Sequence, residues 1–191
     1  MKKETALPVR SHAKNIVFSA VFAALCCVGT LVIIIPLPYG YFNAGDIFVL
    51  LAGWCLGPVY GFAAAAVGSA LADVLGGYVL YAPVTFLVKG LDALCAYFVW
   101  YSLKKVVFRD RTDLLPRALS AAAGEALMVG GYFVYESFLY GFAGAAASLS
   151  GNTLQGAFCL FCSLFLIAGL YRIRYVRRLF PALDRAKEEK R

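Results

Sequence analysis

One lysine stands alone inside an apolar part of the chain, and its surroundings are the first indication of chemistry. Lys89 lies within residues 81–92, a mostly apolar stretch, whereas every other member of the 18 Lys and Arg lies in a cluster that flanks an apolar segment. A cation is costly to place in hydrocarbon, so it must be paired with an acid or face a polar cavity. We therefore expect Lys89 to help line a binding cavity for a small solute.

Each of three consecutive predicted helices carries a stripe of polar residues. One stripe includes Lys89, and the three can meet in one cavity. A helix advances about 100° per residue, so residues spaced by about 3, 4, 7 or 11 share a face. Polar groups in hydrocarbon must face the bundle interior or water. The cavity is expected to open to the outside, with tyrosines 41, 78, 81, 132 and 135 as its walls. The stripes are Thr85, Lys89, Asp92 and Ala96; Glu125, Met128, Tyr132 and Glu136; and Asn152, Gln155, Cys159 and Ser163.

The role of each acid and base is left partly open by the spacing. Lys89 either meets a hydroxyl or anionic group of a ligand or neutralises an internal acid, and Asp92 is a candidate partner one turn away. Glu125 lies about 16 Å along its helix from Glu136 at a rise of 1.5 Å per residue. It is nearer to the cytoplasmic side, and we expect it to be structural. A lone Asn or Gln in such a stripe more often joins helices than binds a ligand, but the combined set favours binding.

The composition indicates a membrane protein. The chain is 62% hydrophobic and 15% charged, with a mean hydropathy of +0.76 and a net charge of +7. These values are outside the range of a soluble globular domain. Because the basic residues flank apolar segments, they are typical of membrane topology and of contact with anionic lipid headgroups rather than of nucleic-acid binding.

The distribution of basic residues predicts six transmembrane helices with both termini in the cytoplasm. Residues 47–72 form an uncharged run interrupted by Gly57-Pro58, and only a pair of spans there leaves every basic cluster on one side. We expect an all-α bundle over residues 15–171 between cytoplasmic tails, 1–14 and a basic 172–191. The expected spans are residues 16–37, about 41–56, about 58–77, 83–103, 115–140 and 152–171. An outer loop over residues 141–151 is either a lid, at 143–151, or an ordinary connector.

The cysteines and the histidine argue against a metal, cofactor or redox site. All six cysteines lie in apolar segments, where a thiol usually packs as a small apolar residue. Cys159 and Cys162 have the spacing of a metal or redox motif but lack a second pair and a nearby His. The single His12 lies in the N-terminal tail, so no histidine-centred catalytic site is expected.

Two helices carry faces of small residues that allow close helix approach. On the first, Ala20 and Ala24 with Cys27 form such a face. On the third, the face is formed by Gly61, Ala65, Gly68 and Ala72. Each face serves either packing within the bundle or docking to a partner membrane protein.

Several short motifs recur in a fixed order and together resemble the substrate-binding (S) components of energy-coupling factor (ECF) vitamin transporters. The resemblance covers roughly residues 14–171 and is greatest to the branch associated with hydroxymethylpyrimidine, pyridoxine or riboflavin. The motifs are Asn43-Ala-Gly-Asp46, Leu56-Gly-Pro58, Gly68-Ser-Ala-Leu-Ala-Asp73, Ala82-Pro83 with Lys89-Gly90, Gly130-Gly-Tyr132 with Glu136, and Gly151-Asn152-x-x-Gln155-Gly156.

The resemblance implies a component in the bacterial cell membrane that captures a water-soluble vitamin outside. It implies a transmembrane coupling subunit and two ATPase subunits as partners, with Ala20 and Ala24 as the docking face and residues 36–46 as a gating loop. The chain has no phosphate-binding loop of its own. The predicted substrate-binding residues are Asn43, Tyr81, Lys89, Tyr132, Glu136, Asn152 and Gln155.

Two other function classes are weighed against this one. A self-sufficient secondary transporter would use Asp73, Glu125 or Lys89 as a proton relay. An intramembrane enzyme would need a nucleophile–base pair or a metal constellation, and the predicted spans contain no histidine. The sequence favours the binding component over both.

Overall fold

The protein is helical, with one small pair of strands. The computed structural model describes residues 9–36, 41–106, 113–180 and 183. Its elements, in chain order, are α1 (Val9–Val32), β1 (Ile34–Pro36), β2 (Tyr41–Asn43), α2 (Gly45–Leu56), α3 (Pro58–Leu75), α4 (Ala82–Val106), α5 (Leu114–Arg172) and α6 (Arg174–Leu179).

Four of the described helices are long and apolar enough to cross a membrane. They cover His12–Val32, Pro58–Leu75, Ala82–Lys105 and Leu114–Arg172. The 12-residue α2 measures about 18 Å at 1.5 Å per residue, which is shorter than a bilayer core of about 30 Å. The chain is therefore a helical membrane protein in which α2 is a short helix buried among the others.

A glycine and a proline separate α2 from α3, as the sequence predicts. Gly57 has φ of 80°, a conformation that costs glycine little and other residues more. Pro58 follows at the first turn of α3, where its missing N–H removes no helical hydrogen bond.

The helix α5 folds back on itself at Gly141, which is its one non-helical residue, with φ 73° and ψ 171°. We call the halves α5a (residues 114–140) and α5b (residues 142–172). They are antiparallel, because Ser148 contacts Glu136 and Gly156 lies against Glu125. The prediction of a loop or lid over residues 141–151 is wrong. Its alanine-rich sequence continues the helix, because alanine has the highest helix propensity and a single glycine suffices for the reversal.

The first two predicted spans also need correction. The helix α1 begins at Val9, within the predicted N-terminal tail, and ends at Val32 rather than at residue 37. The chain then forms β1, which pairs with β2 in an antiparallel register. As a result, α2 begins at Gly45 and not near residue 41. Residues 1–8 and 37–40 lie outside the described residues.

Small residues bring α1, α2, α3 and α4 close together. A Cβ atom added at Gly68 of α3 would lie 2.3 Å from the Ala23 carbonyl oxygen of α1, and one at Gly61 would lie 2.8 Å from the Ala52 carbonyl oxygen of α2. Ala65 and Ala72 on the same face are buried. The small-residue face of α3 therefore packs within the bundle. On α1, Ala20 and Ala24 are exposed, whereas Cys27 is buried and does not extend their face.

One end of the bundle, which we call the basic end, is closed by buried cations. Arg117 is 1% exposed and lies between the rings of Trp54 and Trp100, at 5.3 and 4.4 Å from their centroids. Asp113 pairs with Arg117 at 3.0 Å and with Lys104 at 2.8 Å.

The first, described part of the predicted C-terminal tail belongs to this basic end. It contains α6, and Lys14 donates a hydrogen bond of 2.8 Å to the Leu179 carbonyl oxygen. Phe180 packs against Phe18, with ring centroids 4.8 Å apart. The described residues 173–180 therefore pack back on α1.

Candidate functional site

A polar cavity lies at the opposite end of the bundle, where α1 and α3 end and α4 begins; we call this the cavity end. The structure brings all seven predicted substrate-binding residues to its wall, from β2, the α3–α4 connection, α4, α5a and α5b. Six further residues complete the lining. The wall consists of Asn43, Tyr81, Lys89, Tyr132, Glu136, Asn152 and Gln155 together with Thr30, Tyr41, Ser69, Asp73, Tyr78 and Thr85.

Lys89 is neutralised by an acid that the sequence did not assign to it. Its Nζ atom donates a hydrogen bond to Oδ1 of Asp46 in a salt bridge, and the two residues are 3% and 0% exposed. The ammonium also lies 5.3 Å from the centroid of the Tyr132 ring. The suggested pairing with Asp92 is therefore not the one observed. A signal was present, since a cation at this depth requires an acid at the same depth and Asp46 opens α2 nearby.

Gln155 links the ion pair to β2. Its Nε2 donates to Oδ2 of Asp46 at 2.6 Å, while its Oε1 accepts from the backbone N–H and the side-chain Nδ2 of Asn43 at 2.9 and 3.1 Å. The Asn43 Oδ1 in turn accepts from the Gly45 N–H at 2.9 Å, at the start of α2. Gln155 and Asn43 therefore hold Asp46 and β2 in place.

Glu136 is held at the cavity wall by two hydroxyl groups. Ser148 of α5b donates to its Oε2, and Tyr81 donates to its Oε1 at 3.3 Å. The Thr85 hydroxyl pairs with the Tyr132 hydroxyl at 2.9 Å. Asn152 is half-buried at the wall, and its amide makes no hydrogen bond to any described residue, so it is available to a ligand.

Tyrosine rings cover the cavity. The ring centroids of Tyr41 and Tyr78 are 4.5 Å apart, and Tyr81 lies 6.4 Å from both Tyr78 and Tyr132. Tyr135 lies 5.5 Å from Tyr81 and donates to the Leu80 carbonyl oxygen, so it supports the cover without lining the cavity. Aromatic faces of this kind stack on planar ligands and offer hydroxyls at their edges.

Asp73 and Ser69 form the α3 side of the wall, and neither was among the predicted site residues. The Tyr41 hydroxyl donates to Oδ1 of Asp73 at 2.5 Å. Burial and the Asp73 carboxylate raise the pKa of Tyr41 above its ordinary value, so the phenol stays protonated and remains a donor. The sequence contained a signal for Ser69 and Asp73 as well, because they are four residues apart on one predicted span and so share a face.

The cavity is nearly closed in this conformation. The space open to a water-sized sphere is about 40 Å³, enough for a few water molecules and far below the roughly 300 Å³ of a typical small-molecule pocket. The rings of Tyr41, Tyr78 and Tyr81 line this space. A ligand as large as an aromatic ring therefore requires that part of this wall move.

Two buried carboxylates lie apart from the cavity wall. The oxygens of Asp92 and Glu125 make no hydrogen bond within the described part of the chain. Asp92 lies against Gly124, and Glu125 lies against Gly156.

Cys159 is buried and directs its thiol to the Asn43 carbonyl oxygen at 3.6 Å, whereas Cys162 is partly buried. The described residues contain no group of His, Cys, Asp and Glu side chains suited to a metal ion.

The fold and the cavity together define a helical membrane protein with a polar cavity between its helices. The chain belongs to the family described as the S component of the ECF-type riboflavin transporter, which matches residues 10–172. Its members are substrate-binding parts of vitamin transporters, and the family is not one of enzymes. The sequence is also similar to a Pyrococcus woesei protein described as "Uncharacterized protein in gap 3'region", with 35% identity over 159 residues, 82% of this chain and 98% of the relative.

Proposed function

We propose that this protein captures a small, planar, water-soluble vitamin or vitamin precursor at the cavity end and delivers it through an ECF-type module. The observation that carries the proposal is the convergence of Lys89, Glu136, Asn152 and the tyrosines on one cavity, at the end opposite the basic clusters. The ligand class we favour is that of pyridoxine, hydroxymethylpyrimidine or riboflavin. The ring lies between tyrosines, and Asn152 and Glu136 fix its hydrogen-bonding edge.

The topology that we propose has six membrane segments, with α5a and α5b as separate crossings and α2 as a short one. All described basic clusters then lie on the cytoplasmic side of the cell membrane, in agreement with the positive-inside rule. The cavity faces the exterior. Release inside requires the bundle to reorient within the partner complex, with the energy supplied by two ATPase subunits.

The docking surface that we propose is the exposed face around Ala20 and Ala24. It lies among exposed apolar side chains of α1, Ile16, Val17, Val21 and Val28, where two alanines allow a partner helix to approach closely. Ala20→Leu should spare ligand binding and abolish uptake by the assembled transporter. Loss of ligand binding in this variant would instead mean that the face packs within the bundle. Ala146→Leu, at an exposed alanine of α5b away from this face, is the matched control.

The experiment that tests the capture role is identification of the natural ligand. The full chain is purified from vitamin-replete cells, and the small molecules released on denaturation are identified by mass spectrometry. We expect one planar heterocycle at close to one molecule per chain. Absence of any stoichiometric ligand, combined with no binding of added pyridoxine, hydroxymethylpyrimidine or riboflavin, would contradict the proposal.

A second candidate function is secondary transport, and one observation favours it. Asp92 and Glu125 are buried carboxylates without a hydrogen-bond partner among the described residues, as is common where membrane proteins carry protons. Such a transporter would take up its vitamin in proteoliposomes without partners when a pH gradient is imposed. The capture protein that we propose shows no uptake under these conditions.

A further inference from the structure

The α3 side of the cavity presents two buried polar atoms that the rest of the site leaves unengaged. Ser69 and Asp73 line the cavity and are 2% and 3% exposed. Tyr41 occupies Oδ1 of Asp73, whereas Oδ2 of Asp73 and Oγ of Ser69 make no hydrogen bond to any described residue. A buried oxygen without a partner is costly, so this wall is suited to a ligand that brings hydrogen-bond donors.

The neighbouring hydroxyl does not remove this demand. Thr85 lies beside Asp73 and pairs with the Tyr132 hydroxyl at 2.9 Å, but Oδ2 of Asp73 still makes no hydrogen bond to any described residue. The charged groups Lys89 and Glu136 on the wall are already engaged, since Lys89 bonds Asp46 and Glu136 accepts from Ser148 and Tyr81. The Ser69–Asp73 wall and the Asn152 amide therefore offer a ligand polar atoms that are free.

The charged residues that line the cavity also favour a ligand without a negative charge. Its one cation, Lys89, is balanced by Asp46, so it adds no net positive charge. Two further carboxylates, Asp73 and Glu136, line the same space. A ligand with a phosphate or carboxylate would lose its hydration in a cavity whose potential repels it. A neutral or cationic ring would not.

We propose that Ser69 and Asp73 form a subsite for an amino group, a protonated ring nitrogen or a donating hydroxyl of the ligand. Through this subsite, the cavity selects unphosphorylated neutral or cationic heterocycles and rejects their phosphate esters. This inference rests on the proposed function of the same cavity. It adds the polarity and charge class of the substrate and two residues that determine specificity.

The test is a set of binding titrations on the purified full chain. The ligands are pyridoxine, hydroxymethylpyrimidine and riboflavin, each with its phosphate ester and with a neutral acetyl ester of the same hydroxyl as a control for size. For the vitamin that binds, we expect at least about a 100-fold weaker affinity for the phosphate ester, because burying a repelled charge is costly. The acetyl ester should bind more tightly than the phosphate ester.

Variants of the α3 wall separate charge selection from folding. Asp73→Asn keeps the shape and an acceptor for Tyr41; it should weaken vitamin binding about tenfold and narrow the gap to the phosphate ester. Ser69→Ala should weaken vitamin binding about three- to tenfold, as expected for the loss of one hydrogen bond. Ser163→Ala, at a buried serine that bonds the Leu160 carbonyl oxygen away from the cavity wall, is the control and should bind normally.

Equal affinity for the vitamin and its phosphate ester would overturn the inference, as would equal rejection of the acetyl and phosphate esters. Unchanged affinity and selectivity in Asp73→Asn would overturn it as well. These outcomes leave the proposed capture function in place. If no vitamin binds to the wild-type protein, the proposed function fails and this inference fails with it.

Discussion

Two of the buried cations among the described residues, Lys89 and Arg117, have different surroundings. Lys89 and Arg117 are 3% and 1% exposed, and each pairs with an aspartate. Lys89 lies at the wall of a polar cavity, linked through Asp46 to Gln155. Arg117 lies between Trp54 and Trp100 at the basic end and does not line that cavity.

The comparison indicates that burial and ion pairing alone do not identify a residue that lines a cavity. The aromatic rings around Arg117 fill the space that a ligand would need. The charge of Arg117 therefore stabilises the packing of the helices. The groups around Lys89 leave a small cavity in which other polar atoms remain free. The surroundings of a buried charge, rather than the charge itself, distinguish the two ends.

The largest expected effect is on stability at the basic end. Arg117→Met should reduce the free energy of unfolding by about 3 kcal/mol, because it removes the stacking between two tryptophans and one partner of a buried ion pair. Thermal unfolding in detergent measures this change. Arg117→Lys, which keeps the charge but not the planar stacking group, should lose an intermediate amount. The folded fraction of Arg117→Met should bind ligand normally; weakened binding would show that the two ends are coupled.

The next effect is at the cavity end, where stability and binding should both change. Lys89→Met leaves Asp46 buried without its cation, so it should cost about 2 kcal/mol of stability and weaken ligand binding at least tenfold. The double variant Lys89→Met with Asp46→Asn should recover most of the stability, because the orphaned charge is gone. If the double variant also recovers full ligand affinity, Lys89 has no part in the site.

A smaller effect, on ligand affinity, is expected for Asn152 and Glu136, the two polar residues that we propose to hydrogen-bond the edge of the ligand. Asn152→Ala and Glu136→Gln should each weaken ligand binding about tenfold, since the loss of a buried polar partner costs about 1–3 kcal/mol. Their thermal stability should change less than that of Arg117→Met. Unchanged affinity in both variants would remove them from the site.

The sequence predicts the polar wall better than it predicts the partners within it. Helical spacing places Tyr132 and Glu136 on one face of α5a, and the structure lines the cavity with both. The pairing of Lys89 with Asp46 joins residues 43 apart in sequence. This pairing depends on how α2 packs against α4, and the periodicity of the sequence does not determine that packing.

Helix boundaries, and the burial of residues near helix ends, are the other features that could not be predicted from the sequence. Residues 142–150 combine helix-forming alanines with Gly144 and two serines, so the sequence did not predict that the reversal is confined to Gly141. Arg117 follows a basic cluster and was counted with it, although the packing of Trp54 and Trp100 buries it. Both features depend on tertiary contacts that local propensity does not include.

The measurement that most directly tests the central claim is the accessibility of single cysteines to a thiol reagent that cannot cross membranes, in a background without the six native cysteines. Asn152→Cys and Tyr81→Cys should react from outside the cell, and saturating ligand should protect them. Ser120→Cys, beside Arg117 and Trp54, should not react. If Asn152→Cys and Tyr81→Cys remain unreactive with and without ligand, the cavity does not open to the exterior and the account is contradicted.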